Sequence, residues 1–203
     1  MDPVGSSALS RYILAGGLTI TLAGVLAGFA ILARYEARPG PSVRVPQRCP
    51  QEAAAKLDRE KPTLFLFVHP QCPCTRATIS ELDRITAQGA GRLAMVVLVL
   101  SEARLGPDRV HGALWDAAAR IPGVEVLEDD GGAVARACGV ETSGHALLYG
   151  ADGQLLFEGG ITSARGHEGD SAGKASILAL VSGGAPACAS TPVYGCSLRE
   201  PTP

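Results

Sequence analysis

The sequence LFLFVHPQCPCTR at residues 64–76 decides how the rest of the chain can fold. Its first five residues, 64–68, form an uninterrupted apolar run, which is the pattern of a strand covered on both faces. The amphipathic stretch 77–88 follows and predicts a helix that packs against a sheet. Cys72 and Cys74 therefore fall at the junction of a buried strand and a helix, a position suited to sulfur chemistry.

Strand and helix patterns alternate in the rest of the chain. The order strand, helix, strand, helix, strand predicts parallel strands joined by right-handed crossovers. A hairpin around an Asp-Gly turn and a last helix follow. The predicted helices are 51–59, 77–88, 108–120, 133–138 (capped by Gly139) and 174–182, and the predicted strands are 64–68, 93–100, 124–127, 146–149 and 154–158.

An apolar block at residues 12–33 contains no charged side chain and is bounded by Arg11 and Arg34. As a helix it would be roughly 33 Å long, enough for a hydrocarbon core of about 30 Å. A buried helix of a soluble protein is seldom so uniform, and the apolar region of a cleaved signal peptide is usually only about 7–15 residues long. The block predicts one uncleaved transmembrane helix, with a signal peptide as the alternative.

Five segments follow from these patterns. They are an N-terminal segment (1–11), the anchor (12–33), a Pro-rich tether (34–50), a folded domain (51–182) and a Cys-containing C-terminal tail (183–203). The tether is predicted to hold the domain away from the membrane because prolines favour extended backbone.

Composition limits the partners and the compartment. A net charge of −2 and 4% aromatic residues argue against a nucleic-acid partner. Arginines at 34, 38, 44 and 48 follow the apolar block and favour a cytoplasmic domain by the positive-inside rule. Six cysteines favour an oxidising compartment instead. We expect a single-pass protein of the inner membrane whose domain faces the periplasm, against the local charge pattern.

Three motifs resemble those of thioredoxin-like proteins. They are FVHPQC at 67–72, GVETSGH followed by ALLY at 139–149, and YGADGQ at 149–154. Between about residues 64 and 181 the chain resembles the membrane-anchored thioredoxin-like proteins of cytochrome c maturation, and more closely the bacterial RedB-type proteins. The resemblance implies a thioredoxin-like fold, with three α/β/α layers around a mixed sheet and one transmembrane helix before it.

The cysteine spacing departs from that family, because C-x-C replaces C-x-x-C. Cys72 lies at the position of the family's exposed attacking cysteine, whose thiolate a helix N-terminus would stabilise. Cys74 would then resolve the mixed disulfide. Residues i and i+2 of a helix point to different sides, so a Cys72–Cys74 disulfide requires non-helical backbone across Pro73. The alternative is a pair of cysteines that pack and never react.

Gly144 stands at the position of the family's cis-proline, which is the second departure. Glycine permits unusual backbone angles, and we expect it to leave more room beside the cysteines. His145 follows it and would lie near the thiols, either in the site or in a structural role. His69, three residues before Cys72, is a candidate ligand or base, with a structural role at the strand end as the alternative.

Two later segments are expected to reach the site. The loop 159–173 should border it, so that Arg165, His167, Glu168 and Asp170 would bind a partner or tune Cys72, unless the loop is only a solvated connection. From the last helix, fourteen residues extend roughly 45 Å, enough for Cys196 to become a third thiol. Pairing of Cys196 with Cys188 or Cys49 is the alternative, since connectivity cannot be read from sequence. Cys138 is expected to be a buried thiol.

Three functions fit these patterns. The first is a membrane-anchored thiol–disulfide oxidoreductase that acts on a protein thiol or disulfide partner and needs no organic cofactor. The second is a Cu(I)-type metal-binding or carrier protein, with Cys72, Cys74, Cys196 and His69 as candidate ligands, because soft thiolates select Cu(I). The third is an anchored scaffold without catalysis.

Overall fold

The structure is a computed structural model that describes residues 4–41, 43–89 and 91–199. The chain divides into two units after Arg38. The first contains one helix, α1 (Val4–Glu36). Its segment Ser10–Glu36 has 27 residues and a mean hydropathy of 2.0, so it is long and apolar enough to cross a membrane. A single-pass anchor and a signal sequence both meet this description.

The second unit alternates strands and helices in the predicted order. Its elements are α2 (Gln51–Ala54), β1 (Thr63–Val68), α3 (Thr75–Gly89), β2 (Ala94–Ser101), α4 (Pro107–Val110), α5 (Ala113–Ala119), β3 (Val124–Asp130), α6 (Ala133–Ala137), β4 (His145–Tyr149), β5 (Leu155–Gly160) and α7 (Ala172–Val181).

A five-stranded mixed sheet, in the order β3-β2-β1-β4-β5, forms the middle layer. Strands β1, β2 and β3 run parallel, while β4 runs antiparallel to both β1 and β5. One face packs against α3, α5 and α7 through residues such as Leu82 and Ile177, and the other packs against α2 and α6 through Ala53 and Ala135. This is the predicted thioredoxin-like α/β/α fold, and every residue of its central strand β1 is buried.

Several element boundaries differ from the sequence prediction. The expected helix 108–120 is divided into α4 and α5, because the backbone at Gly112 is extended (φ −84°, ψ −162°). Strand β3 continues to Asp130, three residues beyond its predicted end at Leu127. The Asp129 carboxylate is buried and accepts hydrogen bonds from the backbone N–H groups of Val134 (2.8 Å) and Ala135 (2.9 Å) at the start of α6. Asp130 itself pairs with Ser101 of β2, and this long-range pairing leaves no local trace in the sequence.

The predicted tether differs as well, because its second half packs on the domain. The N–H of Cys49 donates to the Gly153 carbonyl at 2.9 Å, and the N–H of Leu155 donates to the Gln47 carbonyl at 2.9 Å. Val45 is buried. The compact unit therefore begins at Pro39 rather than Gln51. Helix α2 is shorter than predicted and ends at Ala54.

Candidate functional site

The connection between β1 and α3 carries the two cysteines. The N–H of Cys72 donates to the His69 carbonyl at 3.0 Å, and the N–H of Thr75 donates to the Cys72 carbonyl at 3.2 Å. The backbone between Cys72 and Thr75 forms turns, and α3 begins only at Thr75. The backbone across Pro73 is non-helical, as a Cys72–Cys74 disulfide would require, and it allows both thiols to face the same space.

Three sulfur atoms meet at this connection. The Sγ atoms of Cys72, Cys74 and Cys196 all lie within 4.8 Å of one another. The backbone N–H of Cys196 also donates to Cys72 Sγ at 3.4 Å. Cys72 is only 1% exposed, whereas Cys74 and Cys196 are half-buried. The expectation of an exposed Cys72 is therefore wrong for this structure, in which Cys196 of the tail contacts the thiol.

Backbone pairing holds the tail in place. The N–H of Ser143 donates to the Cys196 carbonyl at 2.9 Å, and the N–H of Leu198 donates to the Glu141 carbonyl at 2.8 Å. Between them, Thr142 and Ser197 form an antiparallel bridge. Of the arrangements considered for Cys196, the structure shows the one beside Cys72 and Cys74.

Hydrogen bonds favour the thiolate form of Cys72. Burial raises the pKa of its thiol, but hydrogen bonds from the side chains and N–H groups of Thr75 and Cys196 together outweigh burial, and the pKa lies below its ordinary value. The pKa of Cys196 is raised to about 12, first by burial and then by its hydrogen bond to Cys72 and the nearby Cys72 and Cys74 charges. The Arg165 guanidinium acts in the opposite direction. When Cys72 is ionised, the Cys196 side chain donates the hydrogen bond and the Cys72 sulfur accepts it.

Two hydroxyl groups that were not predicted as site residues form a hydrogen-bonded chain to the Cys72 sulfur. Thr75 Oγ1 and Ser143 Oγ are 2.7 Å apart, and Ser143 Oγ accepts from the His69 N–H at 2.8 Å. An ionised Cys72 sulfur only accepts, so in that state the single Thr75 hydroxyl hydrogen points to Cys72 and Ser143 donates to Thr75. Thr75 directly follows Cys74, and Ser143 directly precedes Gly144. This adjacency to predicted site residues was the one signal in the sequence that could have identified the two hydroxyls.

Replacing Thr75 with valine is expected to raise the Cys72 pKa. The substitution keeps the shape and removes one hydrogen bond to a charged group, so the midpoint of the rate–pH profile should move upward by about one pH unit. The measurement is the pH dependence of Cys72 alkylation by iodoacetamide, with the modified peptide identified by mass spectrometry. Thr75→Ser retains the hydroxyl and should keep the wild-type midpoint. An unchanged midpoint in Thr75→Val would contradict this role.

Gly144 has the backbone conformation that was expected but not the open space. Its φ is +88°, which favours glycine, and its N–H donates to the Phe67 carbonyl at 2.7 Å. A Cβ at this position would lie 3.1 Å from Thr78 Oγ1. The side chain of Thr78 therefore occupies the room that the glycine was expected to leave.

The two candidate histidines lie outside the thiol cluster. His145 is 2% exposed and lines a cavity of about 410 Å³, with no hydrogen bond to either ring nitrogen among the described residues. Burial lowers its pKa to about 4, so the ring is neutral near pH 7. The His69 Nδ1 accepts from the Gln71 N–H at 3.2 Å. Burial and the charge of Arg104 lower the His69 pKa, against the opposing charge of Glu102.

The loop after β5 contributes one side chain to the site. The Arg165 guanidinium donates to the Gly195 carbonyl, directly before Cys196. His167 is exposed and contacts the Arg165 carbonyl at 3.2 Å. Glu168 and Asp170 instead form ion pairs with Arg84 and Lys174. The loop therefore borders the site at Arg165, as predicted, whereas the carboxylates of Glu168 and Asp170 tie the loop to α3 and α7.

The other cysteines lie elsewhere. Cys138 is fully buried as expected, and burial raises its pKa to about 12. Burial also raises the pKa of Cys49, to about 11. The Cys188 Sγ contacts Ser176 Oγ at 3.4 Å. All six cysteines are free thiols in this structure.

The chain is similar in structure to several solved proteins. No protein-family model and no curated protein match the chain. A hypothetical protein from Sinorhizobium meliloti has a TM-score of 0.63 at 21% identity, covering 79% of this chain and 96% of its own. An uncharacterized conserved protein from Geobacillus kaustophilus has a TM-score of 0.57 at 18% identity, covering 82% of this chain and 95% of its own.

A secreted Mycobacterium tuberculosis disulfide oxidoreductase also matches, with a TM-score of 0.44 at 18% identity, covering 64% of this chain and 85% of that chain. Likeness at these identities concerns the fold alone. The five-stranded mixed sheet between two helical layers is a thioredoxin-like fold, and the function has to be argued from the site.

Proposed function

We propose that this protein is a thiol–disulfide oxidoreductase whose reacting group is Cys72. The observation that carries the proposal is the cluster of three Sγ atoms within 4.8 Å of one another. Within it, Thr75 and Cys196 donate hydrogen bonds that lower the Cys72 pKa. A stabilised thiolate beside two further thiols can form, pass on and resolve a disulfide without an organic cofactor.

The first step is attack on a partner protein. The Cys72 thiolate attacks one sulfur of a partner disulfide, a Cys72–partner bond forms, and the partner's S–S bond breaks. The other partner sulfur leaves as a thiolate and takes a proton from water. Cys72 is then neutral, which removes one of the charges that raise the Cys196 pKa.

The second step releases the partner. Cys74 or Cys196 loses its proton and attacks the Cys72 sulfur, so that a disulfide forms within the protein and the second partner sulfur leaves. Two electrons have then passed to the partner, which carries two thiols. The same steps in reverse oxidise a partner dithiol. We assign Cys74 as the resolving residue and Cys196 as its competitor.

Removing both candidate resolving thiols is expected to trap the intermediate. A Cys74→Ser/Cys196→Ser variant keeps Cys72 and should accumulate a disulfide-linked complex that disappears on reduction. Mass spectrometry of that complex should place the link at Cys72. Adding Cys72→Ser to the same variant is the matched control and should capture nothing. If the two variants give the same complexes, Cys72 is not the attacking group.

A second candidate function is binding of Cu(I), and the three-thiol cluster favours it. Three sulfur ligands suit a soft monovalent ion. Among the residues that the structure describes, His69 does not join this cluster, so the ligand set would be Cys72, Cys74 and Cys196. We expect one Cu(I) per reduced protein and none in Cys72→Ser, measured by metal analysis after anaerobic loading. Equal metal content in both proteins would contradict a site at this cluster.

The proposed setting is the outer face of the inner membrane. We propose that residues 12–33 remain as a single-pass anchor, as in the membrane-anchored proteins that the sequence resembles, and that the domain faces the periplasm, because six cysteines suit an oxidising compartment. Helix α1 is apolar over Ser10–Glu36, which supports either an anchor or a signal sequence. Mass spectrometry of protein extracted from membranes decides between them, because a mature chain that begins after Ala33 would reject the anchor.

A further inference from the structure

The C-terminal tail occupies an edge of backbone that can hold an extended peptide. Residues 195–198 run antiparallel to residues 141–143, joined by the Ser143–Cys196 and Glu141–Leu198 hydrogen bonds. We call the segment 141–143 the docking strip. Main-chain hydrogen bonds of this kind form with a peptide of any sequence and supply affinity, while the peptide's side chains at alternate positions supply specificity.

This pairing places a cysteine against the reacting thiolate. The Cys196 carbonyl accepts from Ser143 while its own N–H donates to Cys72 Sγ at 3.4 Å. A cysteine of another protein that paired with the strip in the same register would bring its sulfur into the same cluster. The tail therefore holds Cys196 in the position that the cysteine of a partner segment would occupy.

Contacts on either side of Cys196 restrict which sequences fit. A Cβ at Gly195 would lie 1.8 Å from the Ser143 carbonyl oxygen, so the position before the cysteine accepts only glycine without movement of the backbone. Two residues after the cysteine, Leu198 is 2% exposed and belongs to the buried cluster that includes Phe67 and Val140. The Arg165 guanidinium also fixes the Gly195 carbonyl.

We propose that the docking strip binds an extended partner segment of the form Gly-Cys-x-apolar, and that the tail is a tethered copy of that segment. This proposal rests on the proposed oxidoreductase function and adds the class of substrate. The partner segment displaces residues 195–198, and its cysteine, joined in a disulfide to a second partner cysteine, takes the place of Cys196. Cys72 attacks that sulfur, the partner's S–S bond breaks, and the second partner sulfur leaves as a thiolate. Since Cys196 has then moved away with the tail, Cys74 resolves the mixed disulfide.

Chromogenic peptide disulfides test this specificity in a single turnover. The peptides Tyr-Gly-Cys-Ser-Leu, Tyr-Val-Cys-Ser-Leu and Tyr-Gly-Cys-Ser-Ser each carry thionitrobenzoate on the cysteine. The Cys72 thiolate attacks the peptide sulfur, the peptide remains on Cys72, and thionitrobenzoate leaves as a coloured thiolate. The full-length protein, reduced and freed of reductant, is used in wild-type form and as Leu198→Ala, which weakens the hold of the tail without a steric clash.

The Gly-Cys-Ser-Leu peptide is expected to react at least about tenfold faster than either of the others, because each of those loses a fitted contact. Leu198→Ala should raise the rate of that peptide, since the tail competes for the same strip. A circular dichroism spectrum equal to wild type confirms that the variant is folded, and the ranking in the wild-type protein tests the proposal independently of the variant.

Two results would overturn the proposal, and they are distinguishable. Equal rates for the three peptides in the wild-type protein, each abolished by Cys72→Ser, would reject the docking strip and leave the oxidoreductase function intact. Release of thionitrobenzoate that does not depend on Cys72 would reject the function itself, and the docking proposal with it.

Discussion

A Cys72→Ser variant is expected to lose the first exchange step, with a rate lower by on the order of 10⁴-fold. Serine has nearly the same shape, so the fold should be unaffected, but its hydroxyl cannot ionise near pH 7. The other two cysteines of the cluster do not replace it, because the hydrogen bonds from Thr75 and Cys196 converge on the Cys72 sulfur. Single-turnover reduction of a small aromatic disulfide, followed by absorbance, measures the step directly.

The matched variants are Cys74→Ser and Cys196→Ala. Cys74→Ser should keep the first step within about tenfold of wild type, because it leaves the donors to Cys72 in place. Cys196→Ala removes the S–H donor, so the Cys72 pKa should rise and the midpoint of the rate–pH profile should move upward from its lowered position. A first step that survived in Cys72→Ser would assign the attack to another thiol.

Replacing Lys174 with methionine is expected to destabilise the domain by about 3 kcal/mol. Lys174 Nζ donates to Glu81 Oε2 at 2.9 Å, and their side chains are only 9% and 0% exposed. The substitution leaves a buried carboxylate with a weaker set of partners, namely the Gly169 N–H and Arg84. Thermal unfolding should show a melting temperature lower by roughly 6 to 12 °C.

An exposed ion pair provides the comparison. Lys56 and Glu125 are 2.9 Å apart but 39% and 51% exposed, so Lys56→Met should cost less than about 1 kcal/mol. The double variant Glu81→Leu/Lys174→Met should recover much of the lost stability, since it leaves no buried charge. Equal effects of Lys174→Met and Lys56→Met would show that burial of the first pair does not matter.

The pH dependence of this effect has a definite sign. Burial raises the Glu81 pKa, but the hydrogen bonds from Gly169 and Lys174, together with the nearby positive charges, hold it below its ordinary value. A carboxylate with a lowered pKa stabilises the fold above its unfolded-state pKa, and that contribution is lost as the pH falls through the folded-state pKa. The difference in stability between wild type and Lys174→Met should therefore shrink in acid.

The fold could be predicted from sequence because its signals are local. Strand β1 is an uninterrupted apolar run, α3 is amphipathic, and Asp-Gly at 152–153 marks the hairpin turn. Long-range contacts decided the features that were missed. Strand β3 continues to Asp130 because it pairs with β2 as far as Ser101, and the hairpin pairs with residues 47–49 of the predicted tether. Neither contact changes the local pattern from which the boundaries were predicted.

The features of the candidate site also divide into local ones, which the sequence predicted, and long-range ones, which it did not. Cys72, Cys74 and the turn at Pro73 are adjacent in sequence, so their arrangement followed from the strand and helix on either side. The burial of Cys72 and the hydroxyl of Ser143 depend on segments more than 70 residues away. For Cys196 the sequence allowed several positions, because a 14-residue connection constrains distance only loosely.

The contact between Cys72 and Cys196 joins residues 124 positions apart, which affects how the protein is made. Chains grow from the N-terminus at about 5–20 residues per second, so Cys72 precedes Cys196 out of the ribosome by roughly 6 to 25 s. During that interval the nascent domain carries Cys72 and Cys74 without their third thiol and without the tail that covers Cys72. Early oxidation in the biosynthetic pathway would therefore favour the Cys72–Cys74 disulfide, and the three-thiol cluster is completed only after the tail has been synthesised.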